Sequence, residues 1–291
     1  MEMKRAIVVA ESHSREGKET FERASDALRS RGITVEGSHL EAGHDAVRKR
    51  LKQSVKAGAE LIVLIGGDGT QTIAADVLAH TKSVLGVVPA GTGNSFALSL
   101  GIGSVEQAFD AIAGGRTKRI DVGIVNGRRF ANFATIGAAA VIADDTHRWL
   151  KRLTGPLAYG IEAVGPLLKM RPFGVRVKWK KNRLKLKTQQ LLVVNGRMYG
   201  HTPVTPDSTL DDGLLTFFAV PTRTPLDVVK TYISFLNDTQ TELPQAHFFR
   251  TKRLRIRTSR KARISIDGNA MGTTPARFGV DRRALRVRVP A

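Results

Sequence analysis

The residues Gly66-Gly67-Asp68-Gly69-Thr70 carry the strongest chemical signal in the 291-residue chain. They follow the apolar run Leu61–Ile65 and precede residues with helical spacing. Glycine lets the backbone adopt positive φ and approach a ligand closely. A helix start presents N–H groups without intrahelical partners, at the positive end of the helix dipole. Together these features predict a phosphate cradle. Asp68 is unfavourable in an anion-binding loop unless it faces a metal ion or a hydroxyl proton, which sets this loop apart from a plain strand-to-helix turn. A second loop, Pro89-Ala90-Gly91-Thr92-Gly93-Asn94-Ser95, also follows an apolar run, Val84–Val88. Two such loops at the carboxyl ends of strands in one sheet converge on one crevice. There Thr92 and Asn94 could bond phosphate or ribose; the plainer alternative is a helix N-cap by Asn94 or Ser95. Neither loop is a Walker A motif, and Thr72 stands where a dinucleotide fingerprint needs its third glycine.

The elements that must position these loops alternate over the first 120 residues. Strand signals at Ala6–Ala10, Ile33–Val35, Leu61–Ile65 and Val84–Val88 are separated by helical spacing at 16–31, 45–57 and 72–80. Short helices follow at 94–100 and 105–113. This rhythm predicts a parallel, doubly wound α/β sheet. Beyond Asp121 the period drops to two. Val175, Val177 and Trp179 alternate with basic residues, as do Leu184 and Leu186, Leu254 and Ile256, and Leu285, Val287 and Val289. Each such strand turns apolar side chains inward and basic ones outward. Helical interludes fall at 144–170 and 226–236. The fold class is thus an N-terminal doubly wound α/β domain, residues 1–120, and a C-terminal β-sandwich-like domain, residues 121–291. The last strand is free to return to the first domain.

Composition narrows the function. No cysteine is present, which excludes disulfide frameworks, thiolate metal sites and cysteine nucleophiles. The seven histidines have no zinc spacing and no G-x-S-x-G occurs. No apolar run approaches the ~20 residues that span a bilayer, and the one at the N-terminus is too short for a secretory signal. The net charge is +20. Residues 1–150 hold 19 Lys and Arg against 17 Asp and Glu, so the excess lies in the second half. A polyanionic surface is the expected partner. An anionic membrane is favoured over nucleic acid, because aromatic residues are only 6% and no nucleic-acid signature occurs.

The sequence resembles the diacylglycerol-kinase-like lipid kinases of bacteria, relatives of sphingosine kinases and NAD kinases. The resemblance rests on GGDGT at 66–70, PAGTGNSFA at 89–97, DDGLL at 211–215, IDG at 266–268 and Thr274-Pro275. It implies ATP in a cleft between the two domains and Mg²⁺-dependent γ-phosphoryl transfer to a lipid hydroxyl. Gly66, Gly67, Asp68, Gly69, Thr70, Gln71 and Thr72 would line the nucleotide, with Gly91, Thr92, Gly93 and Asn94 opposite. A structural Mg²⁺ would take Asp212 by side chain, and Thr209 and Leu214 by backbone carbonyl or through water. Without the family, Asp212-Gly213 and Asp267-Gly268 read as hairpin turns. The implied setting is cytoplasmic, peripheral at the inner face of the membrane, with a lipid substrate; a homodimer stays open.

Three departures stand out. Asn269 replaces the family's glutamate, the general base of its Asp-Gly-Glu. Ala10-Glu11-Ser12-His13-Ser14 replaces an Asn-Pro-x-Ser-Gly. Leu40 or a neighbour stands where a nucleotide-contacting threonine is expected. The resulting expectation is that Asp68 organises Mg²⁺ and phosphate, that Asp267 or Asp68 orients the acceptor hydroxyl, and that Asn269 is an acceptor ligand. The alternative is a nucleotide-binding pseudokinase or a membrane-binding regulatory protein.

Overall fold

A computed structural model describes residues 5–12, 15–138, 171–204, 207–222 and 239–291, with Thr224, Asp227, Lys230, Thr231, Ile233, Ser234 and Asn237. The expected helical interlude at 144–170, with its apolar stretch Trp149–Met170, lies outside the described residues. The elements of the first half are β1 (Arg5–Glu11), α1 (Arg15–Arg29), β2 (Thr34–Glu41), α2 (His44–Lys56), β3 (Leu61–Gly66), α3 (Asp68–Leu78), β4 (Val84–Pro89), α4 (Ser95–Ser99), α5 (Val105–Gly114) and β5 (Arg116–Val125). Then follow β6 (Arg128–Phe130), β7 (Phe133–Gly137), β8 (Phe173–Trp179), β9 (Asn182–Thr188), β10 (Gln190–Val194), β11 (Met198–Tyr199), β12 (Thr202–Pro203) and β13 (Leu215–Ala219). The chain closes with β14 (His247–Thr251), β15 (Arg253–Thr258), β16 (Arg263–Ile266), β17 (Asn269–Thr273) and β18 (Ala276–Val289).

Strands β2, β1, β3 and β4 lie parallel in that order. β3 and β4 are buried along their whole length, which is why both read as unbroken apolar runs. β2 is an edge strand with alternating half-exposed residues, and it runs from Thr34 to Glu41 rather than stopping at Val35. Its polar outer half carries no hydrophobic signal. α1 contacts α5, and α2 contacts α3. The core holds Val8, Leu28, Leu51, Leu64, Leu85, Phe96 and Phe109. Each such side chain contributes about 1.5–3 kcal/mol by leaving water.

The sheet continues past β4. The end of β18 pairs parallel with β4 through Val287 and Leu85, and its start pairs antiparallel with β15, followed by β8 and β9. β5 pairs with β18 over most of its length and begins at Arg116, ahead of the change in period at Asp121. A second, antiparallel sheet runs β14-β13-β10-β7-β16-β17. Between the sheets lie Val175, Val177, Leu191, Phe217, Ile256, Ile264 and Phe278. The fold is thus a doubly wound α/β unit followed by a β-sandwich-like unit. No described helix is long and apolar enough to cross a membrane.

Candidate active site

The two glycine loops meet at the carboxyl ends of β3 and β4, but their glycines act by close approach and not by unusual torsion. None of Gly66, Gly67, Gly69, Gly91 and Gly93 has positive φ, contrary to the sequence expectation. A Cβ on Gly91 would lie 2.5 Å from the Gly67 Cα, and one on Gly67 would lie 3.3 Å from the Gly91 Cα. The loops therefore pack backbone on backbone. α3 begins at Asp68, four residues ahead of the expected Thr72, so Asp68, Gly69 and Thr70 form its first turn, with Gly67 as N-cap. The N–H groups of that turn have no intrahelical acceptor. Gly69 contributes little helix propensity and no apolar side chain, which hid this start from periodicity.

The side chains of the first turn are largely committed to protein. Thr70 donates its hydroxyl to Glu11 Oε2 at 2.7 Å. Gln71 is buried and donates to the Leu64 carbonyl at 3.0 Å, while its Oε1 is buried without a partner. Thr72 donates to Asp267. Any nucleotide contact from Gln71 or Thr72 is thereby left to the backbone. In the second loop Asn94 adopts φ 49°, accepts from the Gly91 N–H at 3.0 Å and donates to the Gly91 carbonyl at 2.6 Å. It braces the loop and does not cap α4 by its side chain. Thr92 is exposed at the loop tip.

Asp68 supplies the cap that Asn94 does not. Its carboxylate accepts the N–H groups of Ser95 at 3.1 Å and Phe96 at 2.9 Å, tying α3 to the start of α4. An anion at a helix N-terminus is stabilised by those donors and by the dipole. Burial nonetheless raises its pKa above the usual carboxylate range, partly offset by these hydrogen bonds and by the charge of His201. His201 lies between β11 and β12, in a hairpin whose Met198 N–H donates to Ser99 of α4 at 3.2 Å. Nothing in the sequence singled it out.

Asp267 sits in the β16–β17 turn with φ 45°, next to Gly268 with φ 84°. Positive φ at both central residues is the two-residue hairpin turn that Asp-Gly favours. The buried carboxylate accepts N–H groups from Ala131 at 2.7 Å, Asn132 at 3.1 Å and Phe133 at 2.7 Å, and the Thr72 hydroxyl. Burial outweighs these donors and pushes its pKa up to about 7. With both oxygens held inside the protein, Asp267 ties α3 to the sandwich and is not placed to orient an acceptor hydroxyl. Asn269 lies instead against the start of α3. A Cβ on Gly69 would lie 2.5 Å from Asn269 Nδ2, so the carboxamide rests on the first turn of α3. Gly69, Asn269, Asp68, Gly93, Gly67 and Gly91 form one continuous cluster, since a Cβ on Gly93 would lie 3.0 Å from Asp68 Oδ2.

At the expected Mg²⁺ position the Asp212 carboxylate is engaged by protein groups. Asp212 accepts the N–H groups of Thr209 and Leu214, each at 2.8 Å, and its Oδ2 is ion-paired with Arg250. The Arg250 guanidinium thus neutralises the carboxylate that a metal would otherwise share. Arg250 Nε is itself buried without a partner. Gly213, with φ 74°, donates its N–H to buried Asp121 at 2.7 Å, and Arg283 does the same. The Asp212-Gly213 turn lies in a loop before β13 and is not the tip of a hairpin. No cluster of three metal-ligating side chains occurs among the described residues.

The departures at the sheet edge fall beside the first loop. Ala10 and Leu40 are partners across β1 and β2, and Leu40 is exposed. The Ser12 N–H donates to the Glu41 carbonyl at 2.9 Å, while His13 and Ser14 lie outside the described residues.

Residues 5–125 match the diacylglycerol kinase catalytic domain, and residues 132–289 match the YegS C-terminal NAD kinase beta sandwich-like domain. The chain belongs to the diacylglycerol-kinase-like lipid kinase family. Within this family it is 28% identical to a diacylglycerol kinase of Staphylococcus epidermidis, covering 94% of this chain and 89% of that protein. A diacylglycerol kinase of Bacillus subtilis is 26% identical, covering 97% of this chain and 92% of that one. The fold of this lipid kinase relative is shared with the crystal structure of a diacylglycerol kinase from Bacillus anthracis str. Sterne. The TM-score is 0.76 at 18% identity, over 99% of this chain and 98% of that one.

Proposed function

We propose that this protein is a lipid kinase that transfers the γ-phosphoryl group of ATP to a lipid hydroxyl, diacylglycerol-like or sphingoid, at an anionic membrane surface. The observation that carries the reading is the packing of Gly67 on Gly91 together with that of Asn269 on Gly69. It sets a helix start, a second backbone loop and a neutral polar side chain around one spot. Phosphoryl transfer needs positioning and charge neutralisation more than covalent help. The first-turn N–H groups of α3 and the 91–94 loop hold the phosphates. Asn269 binds the acceptor hydroxyl, whose proton passes to water or to an oxygen of the transferred phosphoryl group as the new O–P bond forms and the bond to ADP breaks. Asp68 ties the first loop to the start of α4, and Asp267 ties α3 to the sandwich. ATP arrives as its Mg²⁺ complex, in which the ion neutralises phosphate charge.

Asn269 itself favours a second reading, a family member that binds nucleotide without turnover and acts through membrane binding. An amide cannot serve as general base, and a base contributes about 10²–10⁴-fold. One experiment separates the readings: transfer of labelled γ-phosphate to a lipid-extract panel, alongside calorimetry with ATP and ADP. Label in a lipid product supports the kinase. Nucleotide heat without label supports the second reading. Absence of heat with either nucleotide refutes both.

A further inference from the structure

We propose that the outer face of β8, β9, β15 and the start of β18 is a docking surface for an anionic phospholipid bilayer. Alternation sends Val175, Val177, Leu254, Ile256 and Phe278 into the sandwich core. The intervening residues emerge on the far side, and there the strand registers align them into two rows. Arg277, Arg255, Lys178 and Arg183 form one row across four strands. Arg257, Arg176 and Lys185 form the next. All seven are exposed. Neighbouring strands lie ~4.8 Å apart and successive same-face residues ~7 Å apart. Each cation therefore stands within one Debye length, ~8 Å, of others of its own sign.

Like charges placed directly opposite on a sheet are destabilising. Arg255 opposes both Arg277 and Lys178, and Arg176 opposes both Arg257 and Lys185. The described residues supply no relief. Residues 171–206 contain no Asp or Glu, and none of the seven is ion-paired with a described residue. By contrast Arg31, Arg48 and Arg129 in the first half all have carboxylate partners. A cationic lattice without internal counter-charge is complementary to an anionic surface.

A bilayer suits the lattice better than a polynucleotide. Of the aromatic residues on these strands, Phe173 and Phe278 are buried and Trp179 is stacked on Phe249 with ring centroids 3.8 Å apart, so none offers a platform for bases. Among the described residues the rows lie on a broad sheet face and not on a protruding helix or ribbon that could enter a groove. The choice of lipid also rests on the kinase reading above, whose acceptor resides in a membrane. Docking is measured without nucleotide or turnover, so a protein that docks but is inactive is distinguished from one that is active but does not dock.

The test is sedimentation with phosphatidylglycerol–phosphatidylcholine vesicles, against vesicles of phosphatidylcholine alone. The face variant carries Arg176→Gln, Lys178→Gln, Lys185→Gln and Arg255→Gln. A control of equal net charge carries Lys18→Gln, Lys49→Gln, Lys52→Gln and Lys56→Gln, all exposed on α1 and α2. Thermal melts confirm that both are folded. Each cation at an anionic leaflet is worth enough that losing four weakens binding roughly 10³-fold, with the control nearly unchanged. Equal losses in the two variants overturn the proposal. So does tighter binding of a single-stranded RNA than of vesicles, lost in the face variant. The wild-type protein gives an independent reading: it sediments only with phosphatidylglycerol and is released by salt. Indifference to headgroup overturns the inference.

Discussion

Replacing Gly91 with alanine tests whether backbone packing between the two loops builds the nucleotide site. The new Cβ would stand 2.5 Å from the Gly67 Cα. Carbon atoms in contact settle at about 3.5–4.0 Å, so the loops must part by about 1 Å. Both atoms belong to backbone, and no rotamer change relieves the clash. A phosphate held at ~2.9 Å by N–H groups of both loops would then exceed ~3.2 Å from one of them, the useful limit for such a bond. Losing two charge-assisted hydrogen bonds costs about 3–6 kcal/mol, which is about 10²–10⁴-fold in affinity. Calorimetry with ATP measures this directly. Gly67→Ala is the internal control, because its Cβ would meet Gly91 at 3.3 Å and needs only a few tenths of an ångström. It should weaken ATP by less than about tenfold. If Gly91→Ala binds ATP as tightly as wild type while both proteins melt alike, the loops do not grip the phosphates and the site is misassigned.

Three further outcomes follow from the same geometry. Burial pushes the Asp267 pKa from 3.8 to about 7, so between those values the folded protein holds a proton that the unfolded chain has lost. Stability relative to Asp267→Asn should therefore fall as pH rises from about 4 to 7 and level off above, by up to about 4 kcal/mol; parallel urea-midpoint curves for the two proteins would contradict this. Asn269→Glu places a carboxylate over Gly69 and should raise kcat by about 10²-fold or more with little change in ATP affinity, measured by lipid-product formation. Transfer seen only in the variant favours the nucleotide-binding reading without turnover. Arg250→Gln frees the Asp212 carboxylate: millimolar Mg²⁺ should raise the melting temperature of the variant and leave wild type unchanged, whereas a saturable rise in wild type that Asp212→Asn abolishes would restore the metal.

What the sequence disclosed and what it withheld divide along range. Leu61–Ile65 and Val84–Val88 are legible because a strand buried on both faces must be apolar throughout, and the basic alternation of β8 and β15 is legible because one face meets solvent. The glycine loops are legible as a site, yet the purpose of each glycine is not. Positive φ and close approach select the same residue, and only the partner's position tells them apart. Asp68 and Asp267 show the limit more sharply. The residues that bond Asp68 lie 27 and 28 positions away, and Thr72 lies 195 positions from Asp267. Local spacing contains neither contact, and carboxylates beside glycine turns read naturally as chemical groups. In the fold they are ties: one fastens the second loop to the first, the other fastens α3 to the sandwich. On the proposed kinase reading, the chemical burden would then fall on backbone N–H groups and Asn269, a division of labour that phosphoryl transfer tolerates because held geometry supplies most of its rate.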